Sequence, residues 1–288
     1  MELKVVVSLL LQGVSLGMLY FLIASGLSLI FGLMGVLNLA HGSLFMWGAY
    51  VAMTVYGLTG SFALGLVGGL LAGAALGVVL ETTLIRRLYG NPVGQILLTL
   101  GLILVLDETV KLIWGPTLLP YPKPAFLAGS AEVLGRAFPH YRIFLIVLGA
   151  LVWLVIHLVL NRTKVGLIIR AGVEDREMVT TLGIDVKKVF TGVFALGGAL
   201  AALGGAAAGP FLLVYPQLGL NNLFPAIIVV VIGGLGSFTG SVIGGLLVGV
   251  TQSFVGYYEP QLAVAVNVAL MALVLLVRPH GLLGHRGV

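Results

Sequence analysis

Charged residues fall in a few narrow bands along this chain, and long apolar runs fill the space between them. Residues 5–80 contain no Asp, Glu, Lys or Arg. At about 20–25 residues per crossing, that run predicts three membrane segments, near 5–32, 37–57 and 62–85. Turns are expected around Gly32 and Gly35 and over 57–61, and Arg86 and Arg87 close the third segment. A fourth segment is expected over 93–114. The stretch after it carries Pro116, Pro120, Pro122, Pro124 and Pro139, which disfavour a spanning helix because proline breaks the internal hydrogen-bond ladder. A fifth segment is expected over 142–160. A charged segment, 161–188, follows, with Arg162, Lys164, Arg170, Arg176, Lys187 and Lys188 set against Glu174, Asp175, Glu177 and Asp185. Residues 189–258 again lack Asp, Glu, Lys and Arg. They predict segments near 189–214, 222–236 and 240–258, the middle one short enough to be re-entrant. A last segment over 261–277 ends at Arg278, with His280, His285 and Arg286 behind it.

Composition turns this pattern into a fold class. The chain has 288 residues, 59% hydrophobic and 9% charged. Soluble domains carry about 25% charged residues, so this one could not cover a water-facing surface. In lipid every backbone polar group must be satisfied internally, and the runs far exceed the alternating strands of an outer-membrane barrel. The expectation is an all-α polytopic membrane protein of about eight to nine transmembrane or re-entrant helices, forming one domain over 1–288. The N-terminal run is too long for a signal peptide and is read as mature protein.

The net charge of +5 is read as topology, since the basic residues border the apolar runs. No nucleic-acid partner is expected. Arg86, Arg87, the charged segment and the basic C-terminus belong on the cytoplasmic side, and the proline-rich stretch outside. Counting crossings puts the N-terminus outside, or inside if one early segment is re-entrant.

The chain has 42 glycines, and their spacing explains them. Gly65, Gly69, Gly73 and Gly77 recur every fourth residue, as do Gly197, Ala201, Gly205 and Gly209. Each series forms a small-residue stripe where a neighbouring backbone can approach, within the bundle or at a subunit interface.

Polar residues inside apolar segments are candidate functional groups, because lipid makes them costly. Asn38, His41 and Ser43 sit among Gly32, Gly35, Gly42 and Gly48. There a helix break would free backbone groups to meet a polar solute; the alternative is a hydrogen-bond cluster that pins a kink. Asp107 and Glu108 stand four and three residues before Lys111, suiting an interfacial ion pair or a role at the outer mouth. His157 is expected to snorkel to the interface. The glycines and hydroxyls of 232–245 suit either a packing stripe or flexible backbone beside a pathway. The chain has no cysteine, so thiolate chemistry is excluded. A lone histidine without acidic neighbours is a poor metal site. Nothing orients a base toward Ser237 for a serine protease, and no phosphate-binding P-loop pattern occurs.

Four stretches carry a resemblance. NLAHGSLFMWGAYVA at 38–52, RAGVEDREMVTTLGID at 170–185, IGGLGSFTGSVIGGLLVG at 232–249 and RPHGLLG at 278–284 resemble LivH-type permease subunits of branched-chain amino acid ABC importers. The resemblance implies a non-enzymatic transport subunit in a bacterial-type cytoplasmic (inner) membrane. Its partners would be a second, LivM-like permease, two cytoplasmic ATPase subunits and an extracytoplasmic amino acid binding protein. This chain would bind no cofactor of its own; ATP and Mg would sit on the ATPases. Within the charged segment, a coupling helix over 173–182 would rest in an ATPase groove; the alternative is a solvated loop that merely sets topology. Arg170, Glu174, Asp175, Arg176 and Leu182 would contribute to the helix and Gly183 would close it, its acids favoured by the dipole of the first turn. Asn38, His41 and Ser43 would contact the solute pathway. Three alternatives remain open: the same machine carrying amides, urea or another small solute, an ATP-independent channel or secondary transporter, and a purely structural membrane subunit.

Overall fold

The computed structural model describes residues 3–133, 135–174 and 176–284, with the backbone alone at 173, 174, 176 and 177. Asp175, His285 and Arg286 lie outside the described residues. The helices are α1 Leu3–Met34, α2 His41–Thr59, α3 Phe62–Thr83, α4 Pro92–Trp114, α5 His140–Arg162, α6 Lys164–Glu174, α7 Arg176–Thr181, α8 Val186–Leu212, α9 Leu218–Gly233, α10 Phe238–Tyr258 and α11 Ala263–Val277. Six described helical stretches are long and apolar enough to cross a membrane by themselves: α1, α3, α5, α8, α10 and the run Pro260–Val277 that contains α11. The all-α polytopic expectation therefore holds, with one departure. The proline-rich stretch ends in an antiparallel hairpin, β1 Ser130–Val133 paired with β2 Arg136–Pro139.

Local chemistry sets several boundaries. The side chains of Ser61, Asn91, Asp185 and Ser237 accept backbone N–H bonds at the starts of α3, α4, α8 and α10, satisfying donors with no intrahelical partner. The two largest shifts are at the starts of α2 and α9, the latter at Leu218 rather than near residue 222. The second segment begins at His41 rather than near residue 37, because the chain leaves the helix at Gly35 (φ 63°) and stays irregular to residue 40. The described residues of the expected helix over 173–182 are helical on both sides of residue 175, to Glu174 in α6 and over Arg176–Thr181 in α7.

Helix α8 is the axis of the bundle, buried along most of its length and packed against α1, α2 and α3. Its contacts are backbone to backbone. A Cβ on Gly198 would lie 2.5 Å from the Gly73 carbonyl oxygen, and one on Gly205 would overlap the carbonyl of Phe45. Gly65, Gly69, Gly73 and Gly77 are the buried face of α3 and meet α2, α8 and Tyr121. Both predicted stripes thus serve packing inside the bundle.

Two sets of helices follow the same path in opposite directions. Helix α1 starts beside β2 and ends beside α6. The chain then doubles back, and α2 starts against the middle of α1, where the His41 ring meets the Ile23 carbonyl. Ile23 lies roughly 16 Å from the end of α1 at 1.5 Å per residue. From there α2 runs toward the hairpin end, and α3 returns. Helix α8 runs the other way, from the charged segment to the Leu119–Val214 bridge. The chain doubles back again, α9 starts with Gly219 against Gly42 of α2, and α10 returns after Gly233 meets Gly240. The packing is reciprocal: α3 lies on α8 as α10 lies on α1, and α1 crosses α8 at Gly26 and Gly197. This is an inverted-topology arrangement in which two short helices begin nose to nose inside the bundle.

Candidate functional site

The three predicted pathway residues lie at that central junction, and all are buried: Asn38 0%, His41 0% and Ser43 2% exposed. Asn38 Oδ1 accepts the Ala40 amide at 3.1 Å, and its backbone carbonyl accepts the His41 amide at 3.2 Å. The side chain therefore shapes the turn that launches α2. His41 Nε2 donates to the Ile23 carbonyl at 3.0 Å. Nδ1 of His41 and Nδ2 of Asn38 are buried without a partner. Ser43 donates to Asp107 at 3.3 Å. Asp107 thus turns inward from α4 to α2, while Glu108 forms the ion pair with Lys111 at 2.6 Å. Of the two pairings expected for Lys111, the shorter spacing forms the salt bridge. Asn38, His41 and Ser43 line none of the principal clefts, since Gly42 and Gly219 close the junction.

At one end of the bundle, α6 and α7 form a polar shelf. Arg170 donates to Asn161 Oδ1 at 2.6 Å, and both line a cleft of about 570 Å³ with Ser28, His157 and Ser237. His157 stacks on Trp153 at 5.3 Å and its carbonyl accepts from Asn161 at 3.0 Å. Leu167 and Leu182 are exposed, at 60% and 72%, and offer the shelf apolar grip. Gly183 follows α7 with φ 79°, its amide bonded to the Thr180 carbonyl at 3.0 Å. That left-handed geometry closes a helix at little cost only for glycine. For Glu174 and Arg176 only the backbone is described, at the end of α6 and the start of α7. Asp185 starts α8. Slight burial pushes its carboxyl up, but the amides of Lys188 and Lys187 and the Lys188 ammonium outweigh that and hold it below its ordinary range.

Below the shelf lies a group that sequence reasoning missed. Glu81, 0% exposed, accepts Nε and Nη2 of Arg86 at 3.0 and 2.8 Å, the Tyr89 hydroxyl at 2.6 Å and the Thr191 hydroxyl at 2.7 Å. Arg86 also reaches Thr191 at 2.6 Å. These bonds staple the end of α3 to the first turns of α8, directly after the charged segment. The available signal was Glu81 five residues before Arg86 at the end of an apolar run. Thr191, 110 residues further on, had no sequence signal.

A family model described as "Branched-chain amino acid transport system / permease component" matches residues 9–277. The high-affinity branched-chain amino acid transport system permease protein LivH of Salmonella typhimurium is 30% identical, over 95% of this chain and 94% of its own. BraD of Pseudomonas aeruginosa, a permease protein of a system with the same description, is 31% identical over 96% and 94%. LivM of Escherichia coli is 27% identical over 93% of this chain and 68% of its own. A single match thus covers both arms of the inverted arrangement and the shelf between them, and the chain belongs to the permease-component family of branched-chain amino acid transport systems.

Proposed function

We propose that this chain is one permease subunit of an ATP-driven importer that carries branched-chain amino acids across the cytoplasmic membrane. It pairs with a second, LivM-like permease. Two ATPase subunits, which hold ATP and Mg, sit below it, and an extracytoplasmic binding protein delivers the solute. The observation that carries this reading is the family match from residue 9 to residue 277.

The chain performs no bond chemistry. The shelf of 161–188 faces the cytoplasm, where Leu182 and the turn at Gly183 rest on an ATPase. Closure of the ATPases pushes the shelf, and the Glu81–Arg86–Thr191 staple passes the displacement from α8 to α3. The basic bands at Arg86, Arg87 and Arg278 support that orientation. Helices α2 and α9, which start inside the bundle, are the elements whose parting would open a path past Asn38, His41 and Ser43. The buried, unpartnered nitrogens of Asn38 and His41 favour a second state in which they meet a polar solute or water.

The test is to tag the chain, purify it gently from native membranes and identify what accompanies it. Two ATPase polypeptides, a second permease and ATP-dependent leucine uptake after reconstitution are the expected result. A chain that purifies alone and moves solute down a gradient without ATP would sink the reading.

A further inference from the structure

Arg86, at the shelf end, has its carboxylate; the two arginines at the hairpin end have none among the described residues. Arg136, on β2, and Arg142, in the first turn of α5, line one cleft of about 470 Å³ between α1, α5, α10 and the start of α11. Neither side chain makes an ion pair or hydrogen bond with any described residue. Arg142 is half-buried and stacks on Phe211 at 5.3 Å, which orients the guanidinium without neutralising it. A half-buried cation with no counter-charge among the described residues is costly, and the cost falls when an anion arrives.

The amides in the same cleft are pinned with opposite ends left over. Gln252 accepts the Tyr20 hydroxyl at 3.0 Å and Asn267 Nδ2 at 3.1 Å through its oxygen, which leaves its –NH₂ a donor with no partner among the described residues. Gln12 donates its nitrogen to Ser8 at 3.2 Å, leaving its oxygen as an acceptor. The walls between them are apolar, including Leu9 and Phe211. The cleft thus gathers two guanidinium groups, an amide donor and an amide acceptor among aliphatic and aromatic surface.

We infer that this cleft is a binding site for a zwitterionic aliphatic amino acid. Arg136, Arg142 and the Gln252 amide take the carboxylate, and the Gln12 oxygen takes the ammonium. The inference rests on the importer reading, in which this end faces the side of entry. The volume falls in the range of small-molecule sites.

The experiment places the purified full-length chain in nanodiscs and measures binding of L-leucine, 4-methylpentanoate and isoamylamine by saturation-transfer NMR. Leucine and 4-methylpentanoate should bind and compete, while isoamylamine, which lacks the carboxylate, should not. R142Q should weaken both carboxylates by about tenfold, the scale of one charge-assisted hydrogen bond. R136Q, at an exposed position, provides the same measurement if R142Q fails to fold, with thermal melting as the check. Isoamylamine competing as well as leucine, or both variants binding like wild type, would overturn the site. So would loss of the arginine-dependent signal in phosphatidylglycerol nanodiscs but not phosphatidylcholine ones, which would assign the cleft to lipid headgroups. Leucine uptake by the reconstituted importer separates the two readings: uptake without cleft binding removes only this site. Arginine-dependent carboxylate binding without leucine uptake keeps the site and removes the importer reading.

Discussion

Glu81 is a fully buried carboxylate that accepts hydrogen bonds from three residues. A buried carboxylate is tolerated when charged and hydrogen-bonded partners surround it, and Arg86, Tyr89 and Thr191 all donate to it. Glu81→Gln should lower stability by about 2–3 kcal/mol, toward the low side for a buried pair because Arg86 is partly open to solvent. Thermal unfolding of the single variant, and of a double-mutant cycle with Arg86→Gln, measures this; melting indistinguishable from wild type would show that the staple contributes nothing. His41 presents a different case. Its Nε2 holds the start of α2 to the Ile23 carbonyl, while Nδ1 is idle. His41→Ala should reduce uptake in a complex that still assembles. Undiminished uptake would leave the ring a packing residue.

Among the elements, the shelf is where sequence and structure differ most usefully. The described residues on either side of 175 in the helix expected over 173–182 are helical, and α7, Arg176–Thr181, leads to the turn at Gly183. Valine is disfavoured at φ 79°, the Gly183 value, by about 1–2 kcal/mol. Gly183→Val should therefore cut solute-stimulated ATPase activity of the reconstituted complex while the transmembrane bundle keeps its melting temperature. Unchanged stimulation would take the shelf out of the mechanism. The membrane segments were legible because each cue was local, whereas the helix over 164–172 was not. The turn over 57–61 and the end of α3 before Arg86 follow from a few neighbouring residues. The hairpin was not legible, because prolines announce a break without saying what fills it.

For the whole molecule, the absence of native cysteine makes topology directly measurable. Single-cysteine variants at Thr181 on the shelf and Glu132 on the hairpin should react with a membrane-impermeant maleimide from opposite faces, Thr181 only from the cytoplasm. Labelling of both from one side would reverse or break the proposed orientation. Opposite labelling also fits the inverted arrangement, in which α1 and α8 carry the chain in opposite directions.

Much of this protein was determined by its sequence alone. Apolar runs bounded by charge established a polytopic helical bundle, because lipid leaves the backbone few other solutions. The glycine spacing marked which helix faces would pack, and four short stretches pointed to the family. The tertiary structure alone decided how those pieces meet. Asn38 and His41 start a helix that begins inside the bundle, Ser43 finds Asp107 across 64 residues, and Glu81 finds Thr191 across 110. The reciprocal packing of α1 on α10 and α3 on α8 also appeared only in three dimensions. Local pattern records what one helix needs to bury, whereas partner choice depends on backbone approach at glycine contacts far apart in the chain.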